Sequence, residues 1–248
     1  MSKTYFIVSD VHGFYSILKK ELKKKKFDLK NPDHILVVAG DLFDRGNEAV
    51  ELFRFVQWLN NKKRLVYVRG NHEDLLEECV KELNFTGGAA SSYHYSNGTI
   101  STCMQLQDER YLKKVLKFIE KNCVNYFEVD KYIIVHGWIP SFTTATKPYE
   151  TSNAILNYNP DWRNSNNHQW ECARWVNGMK AWNDGVREKD KTIVCGHWHS
   201  GYGHFNIHKK YGSEYECFEP FEDDGIIALD AMTAYSKRIN VLKINEKG

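Results

Sequence analysis

Short apolar runs, each closed by polar residues, punctuate the chain: YFIVSD, HILVVAGD, RLVYVRGN, YIIVHG, TIVCGH and GIIALD, with INVLKI near its end. Runs this short and this continuously apolar suit strands covered on both faces. Between the first three, the spacing changes to the helical period. Phe14, Leu18 and Leu22 fall on one face, and so do Leu52, Phe53, Val56 and Leu59. Strand, helix, strand, helix, strand predicts a layered α/β domain.

The alternation breaks near residue 74. EDLLEECVKELNF and ERYLKKVLKFIEKN have helical patterns and flank a polar stretch rich in Gly and Ser, TGGAASSYHYSNGTIS. Strands resume directly afterwards, so residues 74 to 125 are expected to form a helical insertion capping a single domain of residues 1–248. Residues 140–170, rich in Asn, Thr and Trp, lack periodicity and are expected as a long surface loop, a feature that usually carries function. The lysine run KKELKKKKFDLK could be a polyanion patch, but the solvated face of the first helix is the expected reading.

Composition narrows the class of protein. A length of 248 residues leaves room for a substantial core. With 34 basic and 32 acidic residues the chain is nearly neutral, which weighs against a stable nucleic-acid partner. Six cysteines without a CxxC pair, in a chain too large to need disulfide staples, fit reduced thiols. The first residues enter a strand without a signal-peptide pattern, and every apolar run is far shorter than a bilayer span. A cytoplasmic protein with no membrane partner is expected.

The first five runs end in ligand-type side chains. SDVHG carries Asp10 and His12; GDLFDRG carries Asp41, Asp44 and Arg45; RGNHE carries Arg69, Asn71 and His72; HGW carries His136; GHWH carries His197 and His199. Each fragment alone has an ordinary explanation as a turn, a cap or a structural histidine. Ligands of open α/β sheets bind beyond the carboxyl ends of the strands, however, and five such ends in order make a constellation. Oxygen and imidazole donors without thiolate suit manganese, iron or zinc. The donors outnumber what one ion takes, so two divalent ions are expected, manganese first, with Asp41 central between them.

In this order the motifs resemble the calcineurin-like metallophosphoesterase superfamily. The DRG arginine and the RGNHE turn narrow the likeness to its phosphoprotein-phosphatase branch, with bacterial and bacteriophage serine/threonine phosphatases and symmetrical diadenosine-tetraphosphate hydrolases. The resemblance implies an αββα sandwich. It implies one metal on Asp10, His12 and Asp41, and a second on Asp41, Asn71, His136 and His197. In the wider superfamily the second histidine of GHWH reaches the first metal, which adds His199. A water shared by two such ions deprotonates near neutral pH and would attack phosphorus in line. His72 would be the general acid, Asp44 its orienting carboxylate and Arg45 the phosphate clamp.

A second phosphate arginine is expected at Arg174, with Arg163 behind it, while Arg69 either meets substrate or holds the RGNHE turn. Ser9 and Trp138 depart from the usual small residues, and a tryptophan at 138 would narrow the substrate cleft. Trp138, Phe142, Tyr149, Trp162 and Trp170 could stack an adenine or pack their own segment, and packing is the commoner fate. The expected substrate is a phosphorylated protein, or else a dinucleoside polyphosphate or other small phosphoester.

Overall fold

A computed structural model describes residues 2–108, 110–141 and 147–246. In chain order the strands are β1 (Thr4–Val8), β2 (His34–Ala39), β3 (Leu65–Val68), β4 (Cys123–Val124), β5 (Phe127–Val129), β6 (Tyr132–Ile134), β7 (Thr192–Cys195), β8 (Phe221–Asp223), β9 (Ile226–Ala228) and β10 (Leu242–Asn245). The helices are α1 (Tyr15–Lys24), α2 (Ala49–Asn61), α3 (Asn71–Thr86), α4 (Ser92–Ser96), α5 (Thr99–Asp108), α6 (Leu112–Asn122), α7 (Asn167–Arg174), α8 (Gly178–Asn183) and α9 (Thr233–Ser236). All seven apolar runs contribute a strand. The strands the runs do not predict, β4, β5 and β8, are two or three residues long and sit at sheet edges, where they pair backbone groups of a neighbour.

The strands form two five-stranded mixed sheets, ordered β10-β1-β2-β3-β4 and β5-β6-β7-β9-β8. In the first, β1 to β4 are parallel and β10 is antiparallel to β1. In the second, β6, β7 and β9 are parallel between antiparallel edges. Side-chain alternation divides each strand between two cores. Tyr5, Ile7, Val37 and Ala39 face Ile134, Val194 and Leu229 between the sheets. Phe6, Val8, Leu36 and Val38 face the helices, meeting Leu18 and Leu22 of α1, Leu52 and Phe53 of α2, Leu76 of α3 and Val115 of α6. A third cluster joins Ile133, Ile193 and Ala228 to Ala173, Met179 and Trp182. The layers are therefore helix, sheet, sheet, helix, the expected αββα sandwich.

Two segments differ from the pattern reading. The polar stretch after Thr86 is largely helical: α4 and α5 begin in it, and α5 buries Thr102, Cys103 and Leu106 among α2, α3 and α6. Its helical face is made of small and polar residues, which periodicity of apolar positions does not register. Among the described residues of 140–170 the chain is mostly irregular and at least partly exposed, as expected, but it is interrupted by 3₁₀ turns at Pro148–Asn153 and Trp162–Asn164 and by the start of α7. Trp162 and Trp170 are buried, with the Tyr126 ring 4.9 and 5.6 Å from theirs. Trp138 is buried as well and donates from Nε1 to the Val186 carbonyl at 3.1 Å, so it packs the core and does not wall a cleft. Phe142 and the Tyr149 side chain lie outside the described residues.

Candidate functional site

Five strand ends deliver the site. Residues after β1, β2, β3, β6 and β7 bring Asp10 and His12, Asp41 to Arg45, Asn71 and His72, His136, and His197 to one edge of the sandwich. The turns are tight enough to hold Asp10, His12, Asp41, Asp44, Arg45 and His197 at φ between 50° and 72°. Such angles are uncommon outside glycine, and strained backbone concentrates at functional sites. Close approach demands glycine beside them. A Cβ on Gly40, itself at φ 81°, would fall 2.4 Å from His136 Nδ1, and one on Gly70 would fall 2.2 Å from Asp41 Oδ1.

Asp41 sits between two sets of donors. Its Oδ2 faces His12 Nε2 at 3.8 Å and His72 Nε2 at 3.9 Å, and its Oδ1 faces His136 Nε2 at 3.2 Å. Asp10 Oδ1 lies 3.8 Å from His12 Nε2, and Asn71 Oδ1 lies 2.8 Å from His136 Nε2. Two groups of side chains could each hold an ion, His12, Asp41 and His72 in one and Asp41, His136 and His197 in the other. The carboxylate shared by both is the one the sequence made central.

Hydrogen bonds assign the ring protons. His12 Nδ1 faces the Phe43 carbonyl and His72 Nδ1 faces Asp44, so both donate there and leave Nε2 as an acceptor. His136 Nδ1 donates to the Ala39 carbonyl, and its Nε2 lies against two acceptor oxygens, so this ring carries both protons. Burial disfavours that charge, but Asp41 and Asp10 overcome it and raise the His136 pKa to about 10. Burial, with His136 adding to it, lowers His197 to about 3, and burial with Arg45 holds His12 well below its usual value. Burial, reinforced by Asp41 against the pull of His136, raises Asp10 to about 6. Buried carboxylates need a cation. The Nε2 proton of His136 supplies that charge here, and a divalent ion on the same donors would supply more of it. The donor set fits two such ions.

His72 and Asp44 form a buried pair, Nδ1 to Oδ2 at 2.7 Å. Arg45 spans the site, with its two terminal nitrogens 3.0 Å from His12 Nε2 and 3.1 Å from His72 Nε2. Four supporting residues escaped the sequence reading. Thr99 donates to Asp44 Oδ2 at 3.0 Å and Thr102 accepts from the Asp44 amide at 3.0 Å, so α5 holds the pair from the side. Glu73, fully buried, accepts from the amides of Asp41, Leu42 and Gly70 and from the Tyr67 hydroxyl. Its place at the third position of α3 is a capping-box signature that could have found it. Asp230 follows β9, the end of the sixth run. Burial and the charge of Asp10 raise its pKa to about 8.

The other candidates sit apart from the two donor groups. His199 Nε2 lies 3.3 Å from Glu214, and its ring stacks on Tyr215. Arg174 is buried and donates to Asp74 and to Asn125, each at 2.8 Å. Arg69 pairs with Asp74 at 2.6 Å and Glu77 at 2.8 Å, which ties it to α3. Arg163 is held between Glu128 and Glu188.

Fold and site define an α/β sandwich protein with a histidine–carboxylate centre at the carboxyl ends of its parallel strands. Residues 3–228 match the profile of the calcineurin-like phosphoesterases, and the chain belongs to that family. The asymmetrical bis(5'-nucleosyl)-tetraphosphatase PrpE of Bacillus subtilis is 40% identical over 83 residues, 31% of this chain and 34% of its own length. Serine/threonine-protein phosphatase 1 of Salmonella typhimurium is 34% identical over 70 residues, 28% and 30% of the two chains. Matches to four PrpE proteins span between 33% and 62% of their lengths. Among solved structures, a cold-active protein-tyrosine phosphatase of a psychrophilic Shewanella shares the fold, with a TM-score of 0.52 at 15% identity over 97% of this chain and 75% of that one.

Proposed function

We propose that the chain is a dimetal-dependent phosphoesterase, and specifically a cytoplasmic serine/threonine protein phosphatase. The observation that carries this reading is Asp41, with one carboxylate oxygen toward each donor group. Asp10, His12 and Asp41 would hold one ion and Asp41, Asn71, His136 and His197 the other, manganese first, then iron or zinc. His199 would join the first ion only by leaving Glu214. Two bound divalent ions supply positive charge for phosphoryl oxygens and a nucleophilic water at neutral pH.

The protein's own groups do the rest. His72 would take a proton on Nε2 from solvent once Arg45 leaves that nitrogen, and give it to the leaving alkoxide, while Asp44 on Nδ1 fixes the ring and supports its charge. The Arg45 fork moves from the two imidazole nitrogens onto phosphate oxygens, a geometry it matches. Arg174 would be the second phosphate arginine on releasing Asp74 or Asn125. Arg69 serves the turn, the second role its position left open.

A dinucleoside polyphosphate is the second reading, favoured by the similarity to proteins named bis(5'-nucleosyl)-tetraphosphatases. Measuring kcat/KM for a phosphothreonine peptide and for diadenosine tetraphosphate, in one manganese buffer, separates the two. A preference of about a hundredfold for the dinucleotide, near 2.7 kcal/mol, would replace the first reading by the second.

A further inference from the structure

The turn that carries Arg45 is strained. Asp44 and Arg45 stand at φ 72° and 59°, two successive residues in the left-handed region and neither of them glycine. Such a conformation persists only where the surroundings over-determine it. The loop after β1 supplies one side of that support. A Cβ on Gly46 would fall 2.4 Å from the His12 carbonyl oxygen and 2.6 Å from that of Gly13, and the Glu48 amide donates to the Gly13 carbonyl at 3.0 Å.

The helical insertion supplies the other side. Gly98, at φ 79°, stands between α4 and α5 and lies against the Arg45 backbone: a Cβ there would fall 2.5 Å from the Arg45 amide nitrogen and 2.8 Å from its Cα. Thr99, Thr102 and Gln105 follow at a spacing of three, along one face of α5. Thr99 and Thr102 hold Asp44. Gln105 reaches beyond Arg45. Its Nε2 donates to the Gly46 carbonyl at 3.0 Å, and its Oε1 accepts from the Ala49 amide at 3.1 Å. The backbone is therefore gripped before, at and after Arg45, while that residue itself is exposed.

We infer that the insertion is the positioning element of the phosphate clamp, with Gly98 and Gln105 as the residues that fix where the Arg45 fork meets phosphate. The inference rests on the reading of Arg45 as that clamp and deepens it. A guanidinium fork binds phosphate best when two parallel bonds form together, so its orientation matters as much as its reach. An exposed arginine takes its reference from the backbone, and misplacing a substrate-holding group by about 1 Å can cost as much as about a hundredfold in rate. Thr99 and Thr102 act on the carboxylate that orients His72. The contacts of Gly98 and Gln105 fall instead on Arg45, Gly46 and Ala49, which separates the clamp from the acid. Ordinary contact between carbon atoms needs about 3.5–4.0 Å, so a methyl group at position 98 forces the insertion and the Arg45 turn apart by about 1 Å.

The test uses the full chain with manganese and p-nitrophenyl phosphate, and reads KM together with the inhibition constant of inorganic phosphate. The variants are Arg45→Ala, Gly98→Ala, Gln105→Leu, and each of the last two combined with the first. Arg45→Ala should weaken phosphate by about tenfold or more, the low end for a hydrogen bond between charged partners. Gly98→Ala should weaken it by about tenfold and Gln105→Leu by about threefold, with KM rising in step. In the Arg45→Ala background neither should add more than about twofold, because the group they position is gone. Amide hydrogen exchange over residues 43–49 should quicken in Gln105→Leu, which leaves the Ala49 amide without its acceptor. Equal losses with and without Arg45 overturn the positioning role. So does a folded Gln105→Leu protein with unchanged phosphate affinity, and this variant decides the matter where Gly98→Ala fails to fold. Both results leave the clamp reading standing. Phosphate affinity unchanged in Arg45→Ala overturns the clamp and the positioning role together.

Discussion

Replacing Glu73 by Gln tests whether one buried carboxylate organises the loop that carries Asp41. Glu73 Oε2 accepts from the Asp41 amide at 3.0 Å and the Gly70 amide at 2.7 Å; Oε1 accepts from the Leu42 amide at 3.0 Å and the Tyr67 hydroxyl at 2.7 Å. Each oxygen therefore has two donors. Whichever way a glutamine amide is turned, its NH₂ group meets an amide hydrogen, and two of the four bonds are broken or inverted. Charge-assisted bonds contribute about 1.5–3 kcal/mol each, giving about 3–6 kcal/mol for the pair. Removing a charge that burial and Asp41 already disfavour returns part of this, so the expected loss is about 3 kcal/mol. In a chain of this size that lowers the melting temperature by about 6–12 °C. Tyr67→Phe removes one donor and should cost about 1.5 kcal/mol, the low end for a bond to a charged group. Urea denaturation followed by circular dichroism gives both values. A Glu73→Gln variant within 0.5 kcal/mol of wild type, the ordinary range for surface changes, would refute the reasoning. So would a Tyr67→Phe variant that costs as much as Glu73→Gln.

Asp41→Asn should abolish activity and lower bound metal from two ions per chain, read by elemental analysis after gel filtration; a wild type fully active with one tightly held ion would sink the dimetal proposal. His72→Asn should lower kcat by about 10²- to 10⁴-fold with alkyl phosphates and much less with p-nitrophenyl phosphate, whose leaving group needs little protonation. A loss equal for all leaving groups and accompanied by metal loss would make His72 a ligand. With metal chelated, stability should fall as pH rises from 6.5 to about 8. Over that interval His136, raised to about 10, and Asp230, raised to about 8, keep protons in the folded state that the unfolded chain releases, so the folded state binds more protons and stability declines. His12 and His197, shifted downward, act below that interval. A flat or rising stability between those pH values would contradict the assigned protonation of His136 and Asp230.

The layered architecture and the candidate donor set were legible in sequence because both are written locally. An interior strand of a covered sheet must be apolar along its length, so Phe6 to Val8, Leu36 to Ala39 and Ile193 to Cys195 announce themselves. The chemistry follows each run within a few residues, and Asp10, Asp41, His72, His136 and His197 were therefore found one strand end at a time. Edge strands such as β5 and β8 owe their pairing to a neighbour, and their own residues do not signal it.

What only tertiary structure decided is every matter of partnership between distant residues. Arg174 reads as an unpaired arginine in sequence, and only the fold brings it to Asp74, one hundred positions away, which it must release to meet a phosphate. His199 belongs to a histidine motif, yet the fold turns it to Glu214. Thr99 and Thr102 look like loop residues, and only the packing of α5 on α2 and α3 brings them to Asp44. Trp162 and Trp170 could equally have faced solvent or a base, and the space between Tyr126 and the second sheet settles them in the core. The physical reason is range: backbone pattern and burial act over a few residues, whereas a long polar side chain or a large ring takes its role from whichever partner the completed fold places within a few ångströms of it.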